Sequence, residues 1–208
     1  WVQGHIGTTA LTYSPYTLSG HMFTGGGVEL TPKGFYVGGM YGRFRKAVEY
    51  DFANQSDDQL SFRRMGYAFK AGFDNEGNAI CVSYFHAADE LNSLAFVPAE
   101  SNVTPMENTA VGISGKSLLW NVISLTGEFA VSGLTRNTSS EIESTDFAGW
   151  QKWFLNTRTS TEFFRAWKGS IGYTAKKFSI SIIHEHVDPG YQTLGAYFFN
   201  NDLENWTI

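Results

Sequence analysis

A regular alternation of side-chain types runs through residues 65–73 and limits the folds open to this chain. A period of two residues places alternate side chains on opposite faces of a β-strand. One set consists of Met65, Tyr67, Phe69, Ala71 and Phe73, and the other of Gly66, Ala68, Lys70 and Gly72. The same alternation of large apolar with small or polar residues returns in 80–84, 123–132, 163–173 and 178–182. The sequence therefore predicts an all-β fold whose strands share one apolar face.

Weaker strand patterns complete the predicted architecture. They fall at 4–14, 20–31, 35–50, 107–114 and 203–208, and a short helical turn is expected within 147–155. Together the segments give about ten antiparallel strands, a number within the range of transmembrane β-barrels. We expect a single domain over residues 1–208 that is part of a larger barrel and continues beyond residue 208.

The predicted connections alternate in length along the chain. Short turns are expected at 32–34, 74–78, 115–116 and 175–177, and long polar stretches at 51–62, 90–106, 137–161 and 188–202. Because alternate connections of an antiparallel meander lie at opposite ends of the sheet, all the short turns share one end. Transmembrane β-barrels of outer membranes have this asymmetry. Only the first connection, 15–19, is short where the pattern requires a long one.

The composition narrows the class of protein further. Hydrophobic residues make up 42% and charged residues 17% of the 208 residues, and the formal net charge is -5. These values exclude a disordered segment, a coiled coil and a nucleic-acid module built on a basic patch. The single cysteine, Cys81, excludes an internal disulfide. No segment approaches the roughly 18 apolar residues of a transmembrane helix, which leaves the β-barrel as the membrane option.

The second face of the strands separates a membrane barrel from a soluble one. A soluble barrel of the lipocalin kind buries its apolar face and exposes a charged face to water. Here the second face consists of Gly, Ala, Ser and Thr with few charges, which suits the interior of a membrane barrel. Aromatic residues near the predicted strand ends match the girdles of membrane interfaces. The alternative is a soluble, secreted β-barrel that binds a small apolar ligand.

Two regions of the chain carry a family resemblance. The first is 178–183, FSISII, followed by 187–205, VDPGYQTLGAYFFNNDLEN; the second runs from PKGF at 32–35 through MYGR at 40–43 to Lys46 and Ala47. Both resemble large outer-membrane β-barrel proteins of the Bacteroidetes, most of which are uncharacterised. The resemblance implies a barrel in the outer membrane of a Gram-negative cell that extends past the strand beginning at Leu203. It supplies no substrate and no catalytic residue.

Some local motifs suggest chemistry that the rest of the sequence does not support. His184 and His186 would share one face of a strand, as two imidazole ligands of a metal do, but only Asp188 is near as a third ligand. The turn 74–78 has oxygen ligands without the 12-residue frame of a calcium loop. No Gly-x-Ser-x-Gly motif indicates a hydrolase. We therefore predict no catalytic residue, no metal site and no cofactor.

Charged side chains in the predicted strands are candidates for the barrel interior or its rim. Basic residues cluster at the end of one strand and the start of the next, near the acidic residues Glu49, Asp51, Asp57 and Asp58 that would pair with them. A ladder of such charges on the inner wall would influence ion preference. The candidates are Arg43, Arg45, Lys46, Arg63, Arg64, Lys70, Glu128 and Lys168.

The loop 137–161 is unusual because it combines acidic residues with four large aromatic ones. These are Phe147, Trp150, Trp153 and Phe154. Such a cluster indicates either a loop that folds into the barrel as a plug or a docking surface for another protein. Packing of the loop over the rim of its own barrel is the alternative.

Together these features predict an integral outer-membrane β-barrel that is not an enzyme. It would act as a channel or as the membrane component of a larger surface, secretion or assembly complex. The expected partners are the lipid bilayer, including lipopolysaccharide, and other outer-membrane or surface proteins, with no nucleic acid.

Overall fold

The structure, a computed structural model, describes residues 1–53, 59–142, 149, 151–198 and 200–208. Most of them belong to ten strands: β1 Val2–Thr12, β2 Ser19–Leu30, β3 Phe35–Arg45, β4 Arg64–Asn75, β5 Asn78–Asp89, β6 Glu107–Leu119, β7 Ile123–Thr135, β8 Thr161–Thr174, β9 Ser179–Val187 and β10 Leu203–Thr207. The helical turn is present as α1, Gln151–Phe154, and a 3₁₀ turn spans Leu91–Ser93. No helix in the described part of the chain is long and apolar enough to cross a membrane.

All ten strands form one antiparallel sheet in which each strand pairs with its neighbours in the sequence. The predicted all-β fold of about ten antiparallel strands is therefore confirmed. Within the described residues β1 pairs only with β2 and β10 only with β9, so these two strands are open edges of the sheet. Closure of the sheet into a barrel stays a prediction.

Short and long connections alternate along the sheet. The short ones are residues 31–34, 76–77, 120–122 and 175–178, and the long ones are 46–63, 90–106, 136–160 and 188–202. We call the two ends of the sheet the short-turn end and the long-loop end. The predicted turn at 115–116 is wrong, because Gly115 pairs with Gly127 inside the ladder and β6 continues to Leu119. The chain reverses instead at Trp120 and Asn121, whose φ angles are 51° and 57°.

The two faces of the sheet differ in the way that the alternation predicts. On one face, which we call the outer face, Phe69, Ile180 and Ile182 expose 55%, 52% and 40% of their surface. On the opposite face, the inner face, Ala68 of β4 and Ala166 of β8 are fully buried. The inner face thus carries many small residues, with large ones such as Phe85 in one part of it. The large apolar residues of the outer face stay exposed, unlike those of a soluble sheet that covers a core with its apolar face.

Two connections fold back over the inner face, and their contacts show that the sheet is curled. We call residues 13–18 the first inward segment and residues 190–196 the second inward segment. The hydroxyl of Tyr16 donates to Glu185 Oε1 at 2.7 Å, which joins the start of β2 to β9. In a flat sheet these strands would lie about 34 Å apart, at about 4.8 Å per strand. Because the three residues from Tyr16 to Ser19 reach at most about 11 Å, the sheet must curve around the segment.

The core lies between the inner face and the inward segments at the long-loop end. Phe44 packs against Phe23 and Phe85 with ring-centroid distances of 5.8 and 5.5 Å, and the three rings are buried. Burial of each ring contributes about 1.5–3 kcal/mol. Gly42 permits this packing, because a Cβ there would lie 2.7 Å from Phe23 Cδ2 and 2.8 Å from the Thr24 carbonyl oxygen.

Candidate functional site

The candidate site is the inner face, which is filled at the long-loop end and open toward the short-turn end. In the filled half, the side chains of Phe85, Asn108 and Leu134 have no exposed surface. Toward the short-turn end, alternate residues on the same face, such as Lys70 and Ser170, are partly exposed. The inner face therefore has a closed half, formed by the inward segments, and a polar half that solvent reaches.

The first inward segment is held by side chains from three separate strands. Ser14 donates a hydrogen bond from its hydroxyl to the carboxylate of Glu128 on β7. Thr17 Oγ1 donates to Ser83 Oγ of β5 at 3.2 Å, and Tyr16 binds β9 as described above. The backbone closes on itself because the Tyr13 N–H donates to the Leu18 carbonyl at 2.9 Å. These bonds hold the first inward segment against the inner face, within the space that the curled sheet surrounds.

The second inward segment is held by a buried amide on β6. The backbone N–H of Leu194 donates to the Oδ1 of Asn108, with an N···O distance of 3.0 Å. Its Nδ2 donates to Ser132 Oγ and to the Gly133 carbonyl oxygen, both at 2.8 Å. Ser132 in turn donates to the Gln192 carbonyl oxygen at 2.7 Å. Both the Oδ1 and the Nδ2 of Asn108 therefore help to position the second inward segment.

The two inward segments also bind each other. The hydroxyl of Tyr191, which is fully buried, donates to the Tyr16 carbonyl oxygen at 2.6 Å. Thr193 Oγ1 donates to the Thr17 carbonyl oxygen at 2.7 Å, and the Ser19 N–H donates to the Gly195 carbonyl oxygen at 2.9 Å. The segments come from opposite ends of the chain but form one hydrogen-bonded unit, so release of either would loosen the other.

Burial raises the pKa of three tyrosines in the inward segments. Desolvation raises the pKa of Tyr13 to about 12, and the carboxylate of Glu29 adds to the effect. Desolvation also raises the pKa of Tyr16 and Tyr191 above the ordinary value, and for Tyr16 the hydrogen bond to Glu185 contributes. These phenols are therefore neutral near pH 7 and can act as hydrogen-bond donors.

Three of the predicted interior charges lie on the inner face, where charges of opposite sign are adjacent. Lys168 Nζ donates to Glu185 Oε2 at 2.8 Å. Glu128 is the ladder partner of Lys168 on the next strand, so the three groups form one row. Lys70 lies over the ring of Tyr36, 5.3 Å from its centroid. The structure thus brings these charges together as mixed pairs rather than as a ladder of one sign.

The predicted arginines at the long-loop end bind an acid that was not among the candidates. Arg64 donates from Nε and Nη2 to the two oxygens of Asp89 at 2.8 and 2.9 Å. Arg45 Nη2 also donates to Asp89 Oδ2, at 3.1 Å, and so does the Met106 N–H, at 3.0 Å. Since the Asp89 side chain is completely buried, this cluster fastens the loop 90–106 to the end of the sheet.

The other predicted rim cations differ in their surroundings. Arg63 forms an ion pair with Glu90. Arg43 lies half-buried on the outer face, and Lys46 is exposed just past the end of β3. Neither forms an ion pair with a residue that the structure describes. Of the acids that the sequence suggested as partners, 57 and 58 lie outside the described residues.

The two histidines of the possible metal motif are packed against aromatic rings on the outer face. The ring of His184 lies 4.3 Å from that of Trp206, and the ring of His186 stacks on Trp167 at 4.0 Å. His186 Nε2 lies 3.1 Å from Asp188 Oδ1. Among the described residues no group of three potential ligands could hold a metal ion. The geometry therefore gives the two rings a packing role at the long-loop end of β9.

The structure describes only part of the aromatic loop. Phe147 and Trp150 lie outside the described residues, and so does the side chain of Trp153. Phe154, in α1, is half-buried and packs edge to face against Phe163 of β8 at a centroid distance of 6.5 Å. This residue thus contacts the strand that follows its own loop, and the predicted partner or plug contact of the cluster stays a prediction.

Comparisons with protein-family models, with characterised proteins and with solved structures yielded no significant match.

Local sequence patterns did not predict the inward segments, because the contacts of these segments join residues up to 176 positions apart. The one available signal is the brevity of the first connection, in a position where the alternation of loop lengths requires a long one. On the described geometry, the inner face presents hydrogen-bonding groups that hold two segments of the same chain in place.

Proposed function

We propose that this chain forms the wall of a transmembrane β-barrel in the outer membrane of a Gram-negative cell. In this role it acts as a channel or as the membrane component of a surface, secretion or assembly complex. The observation that carries the proposal is a continuous row of mostly apolar side chains across β1 to β8 on the outer face. Ladder pairing aligns Val2, Leu30, Val37, Ala71, Val82, Ile113, Phe129 and Trp167 in this row.

Such a row suits lipid better than water. Soluble monomers rarely expose a large contiguous apolar patch. Here the exposed members continue above and below the row, with Phe35, Tyr41, Phe69, Phe73, Ile80, Ile171, Tyr173, Ile180 and Ile182 all at least 38% exposed. In a bilayer these side chains contact acyl chains, while the small inner residues leave room for the inward segments.

The dimensions of the strands support the same proposal. Strands β1 to β9 have between 9 and 14 residues, and a tilted transmembrane strand needs about 9 to 11. The eight residue steps from Met65 to Phe73 cover about 27 Å along β4. At the usual strand tilt of about 35–45° this length spans about 19–22 Å along the membrane normal, which fits within the apolar band of about 25 Å that surrounds outer-membrane barrels.

Aromatic rings border the apolar band at both ends. At the long-loop end Tyr67 packs against Tyr84 and His86, with centroid distances of 5.9 and 5.1 Å. At the short-turn end Phe35 packs against Phe73 at 4.9 Å. Aromatic girdles at both interfaces are typical of outer-membrane barrels. By the same analogy the short turns face the periplasm and the long loops face outward, in agreement with the resemblance of 178–183 and 187–205 to Bacteroidetes barrels.

The inward segments favour a barrel whose long-loop end is closed at rest. Their bonds to Glu128, Glu185 and Asn108 come from β7, β9 and β6, so they cross the inner face rather than follow one strand. A non-catalytic role fits this arrangement, because the polar groups in the closed half bind the chain itself. Opening would require the two segments to leave together.

A pair of neighbouring substitutions tests the proposal. Ile182→Arg places a charge on the outer face, and Ser181→Arg, the matched control, places it on the inner face one residue away. Arginine near the bilayer midplane destabilises an outer-membrane barrel by about 2–4 kcal/mol. We expect the full-length protein to require detergent for extraction, and only Ile182→Arg to lose much of its insertion into vesicles. Full solubility without detergent, or equal effects of the two variants, would favour the soluble ligand-binding barrel instead.

A further inference from the structure

A groove at the long-loop ends of β2 and β3 combines hydroxyl groups with two cations that form no ion pair with a described residue. Thr8, Thr24 and Arg43 are ladder partners on β1, β2 and β3, so they form one row. The groove has a volume of about 190 Å³, and it reaches from this outer-face row to Lys46, to Tyr197 and to the buried rings Phe23 and Phe44.

The position of this row relative to the apolar band is informative. Two residues toward the short-turn end lies the row of Ile6 and Tyr41, which expose 96% and 60% of their surface. If the outer face contacts lipid, Ile6 and Tyr41 lie beside acyl chains. Thr8, Thr24 and Arg43 then lie one step further out, level with Met65 at the margin of the apolar band, where the lipid headgroups begin.

The groove is positively charged because its lining includes Arg43, Arg45 and Lys46 and no described carboxylate. Asp89 shares its carboxylate between Arg45 and Arg64, which leaves that cluster with one net positive charge. Arg43 and Lys46 therefore face the groove as cations with no described carboxylate to neutralise them.

The hydroxyls provide a further donor for an anion. Thr8 Oγ1 and Thr24 Oγ1 lie 3.0 Å apart, so one hydroxyl donates to the other. The hydroxyl that accepts this bond can donate its own hydrogen to a ligand. A guanidinium beside free hydroxyl donors is a geometry that binds phosphate, since arginine can give two parallel charge-assisted bonds to its oxygens. The flat apolar surface next to the row suits the acyl chain of the same ligand.

We propose that this groove binds the phosphate of a phosphorylated lipid in the outer leaflet, with Arg43 and Lys46 as its cationic contacts and Ile6 and Tyr41 along its acyl chains. The inference rests on the proposed membrane function. It adds a specific headgroup site to a surface that otherwise only contacts lipid, and it orients the long-loop end toward the leaflet that carries phosphorylated glycolipid.

Binding of monophosphoryl lipid A to the full-length protein in neutral maltoside micelles tests the site, with bound lipid counted by native mass spectrometry. Charge-assisted bonds of ordinary strength correspond to a tenfold to hundredfold change in affinity. We expect the double variant Arg43→Ala with Lys46→Ala to bind the lipid at least tenfold more weakly. The matched control, Lys176→Ala with Lys177→Ala, removes two charges from the short-turn end and should bind normally. Arg43→Lys should retain part of the affinity.

Three results would overturn the proposal. Equal binding by the double variant and the control would show that the groove does not hold the phosphate. Equal occupancy by inorganic phosphate, without preference for the lipid, would assign the groove to a free anion. A protein that stays soluble without detergent would remove the membrane premise itself, whereas unchanged lipid binding by a detergent-requiring protein would refute only this site.

Discussion

Removal of the Asn108 side chain should release the second inward segment from the inner face. In Asn108→Ala the buried N–H of Leu194 loses its acceptor, and the Gly133 carbonyl oxygen and Ser132 hydroxyl lose a donor. Each buried group left unpaired costs about 1–3 kcal/mol, and groups that relax toward water cost less. We therefore expect the segment to be less stably seated by about 2–4 kcal/mol, while the strands stay paired, because local opening has its own free energy.

Hydrogen exchange of the amides in 190–197, followed by mass spectrometry in micelles, measures this seating directly. At about 1.4 kcal/mol per tenfold change, protection should fall by about 30- to 700-fold. Asn78→Ala is the matched control, since it removes the same amide from the exposed short-turn end of β5, where a substitution typically changes stability by less than about 0.5 kcal/mol. Equal protection in the two variants would refute the role of Asn108 in holding the segment.

Three further predictions concern packing, the buried tyrosines and pH. Gly25→Ala should destabilise the protein by about 1–3 kcal/mol in thermal unfolding, because the new Cβ would lie 2.2 Å from a backbone oxygen of β3. Gly127→Ala is the control, since a Cβ there would have no atom within 4 Å, and equal melting temperatures of the two variants would contradict the prediction. Tyr191→Phe removes the hydrogen bond from Tyr191 to the Tyr16 carbonyl oxygen and should raise conductance in planar bilayers, whereas Tyr13→Phe removes a hydroxyl without a described partner and should leave conductance unchanged. Since the pKa of Tyr13 is raised from 10.0 to about 12 in the fold, the contribution of Tyr13 to stability is complete below pH 10 and should be lost as pH rises to 12. Hydrogen-exchange protection of the amides in 13–18 that stays constant from pH 9 to 12, after correction for intrinsic exchange, would contradict this prediction.

The sheet was predictable because its information is local. In β4 the alternation of Tyr67 and Phe69 with Ala68 fixes which side chain faces outward, and the same holds for Ile182 in β9. The failure at 115–116 has a local cause as well. Gly115 resembles a turn residue, but it lies inside the ladder opposite Ile80 and Gly127, and the positive φ is taken by Asn121, the residue type that tolerates it best after glycine.

The candidate site was less predictable because its contacts are long-range. Glu128 was recognisable as an interior charge from its strand position, but its partner Ser14 lies 114 residues away. Asn108 was not a candidate at all, since a single polar residue in an alternating strand looks like many others. Only the curled sheet, which brings β6, β7 and β9 around the same two segments, gives these residues a common role.

Site-directed spin labelling along residues 65–73 in a lipid bilayer tests the central claim most directly. Cys81→Ser supplies the cysteine-free background, because Cys81 is the only cysteine. If the outer face contacts lipid, labels at 65, 67, 69, 71 and 73 should be accessible to oxygen dissolved in the acyl chains, and labels at 66, 68, 70 and 72 should not. The account predicts this period of two, with its greatest amplitude near Phe69. Uniform exposure to a water-soluble relaxation agent at the odd positions, or oxygen accessibility without alternation, would contradict it.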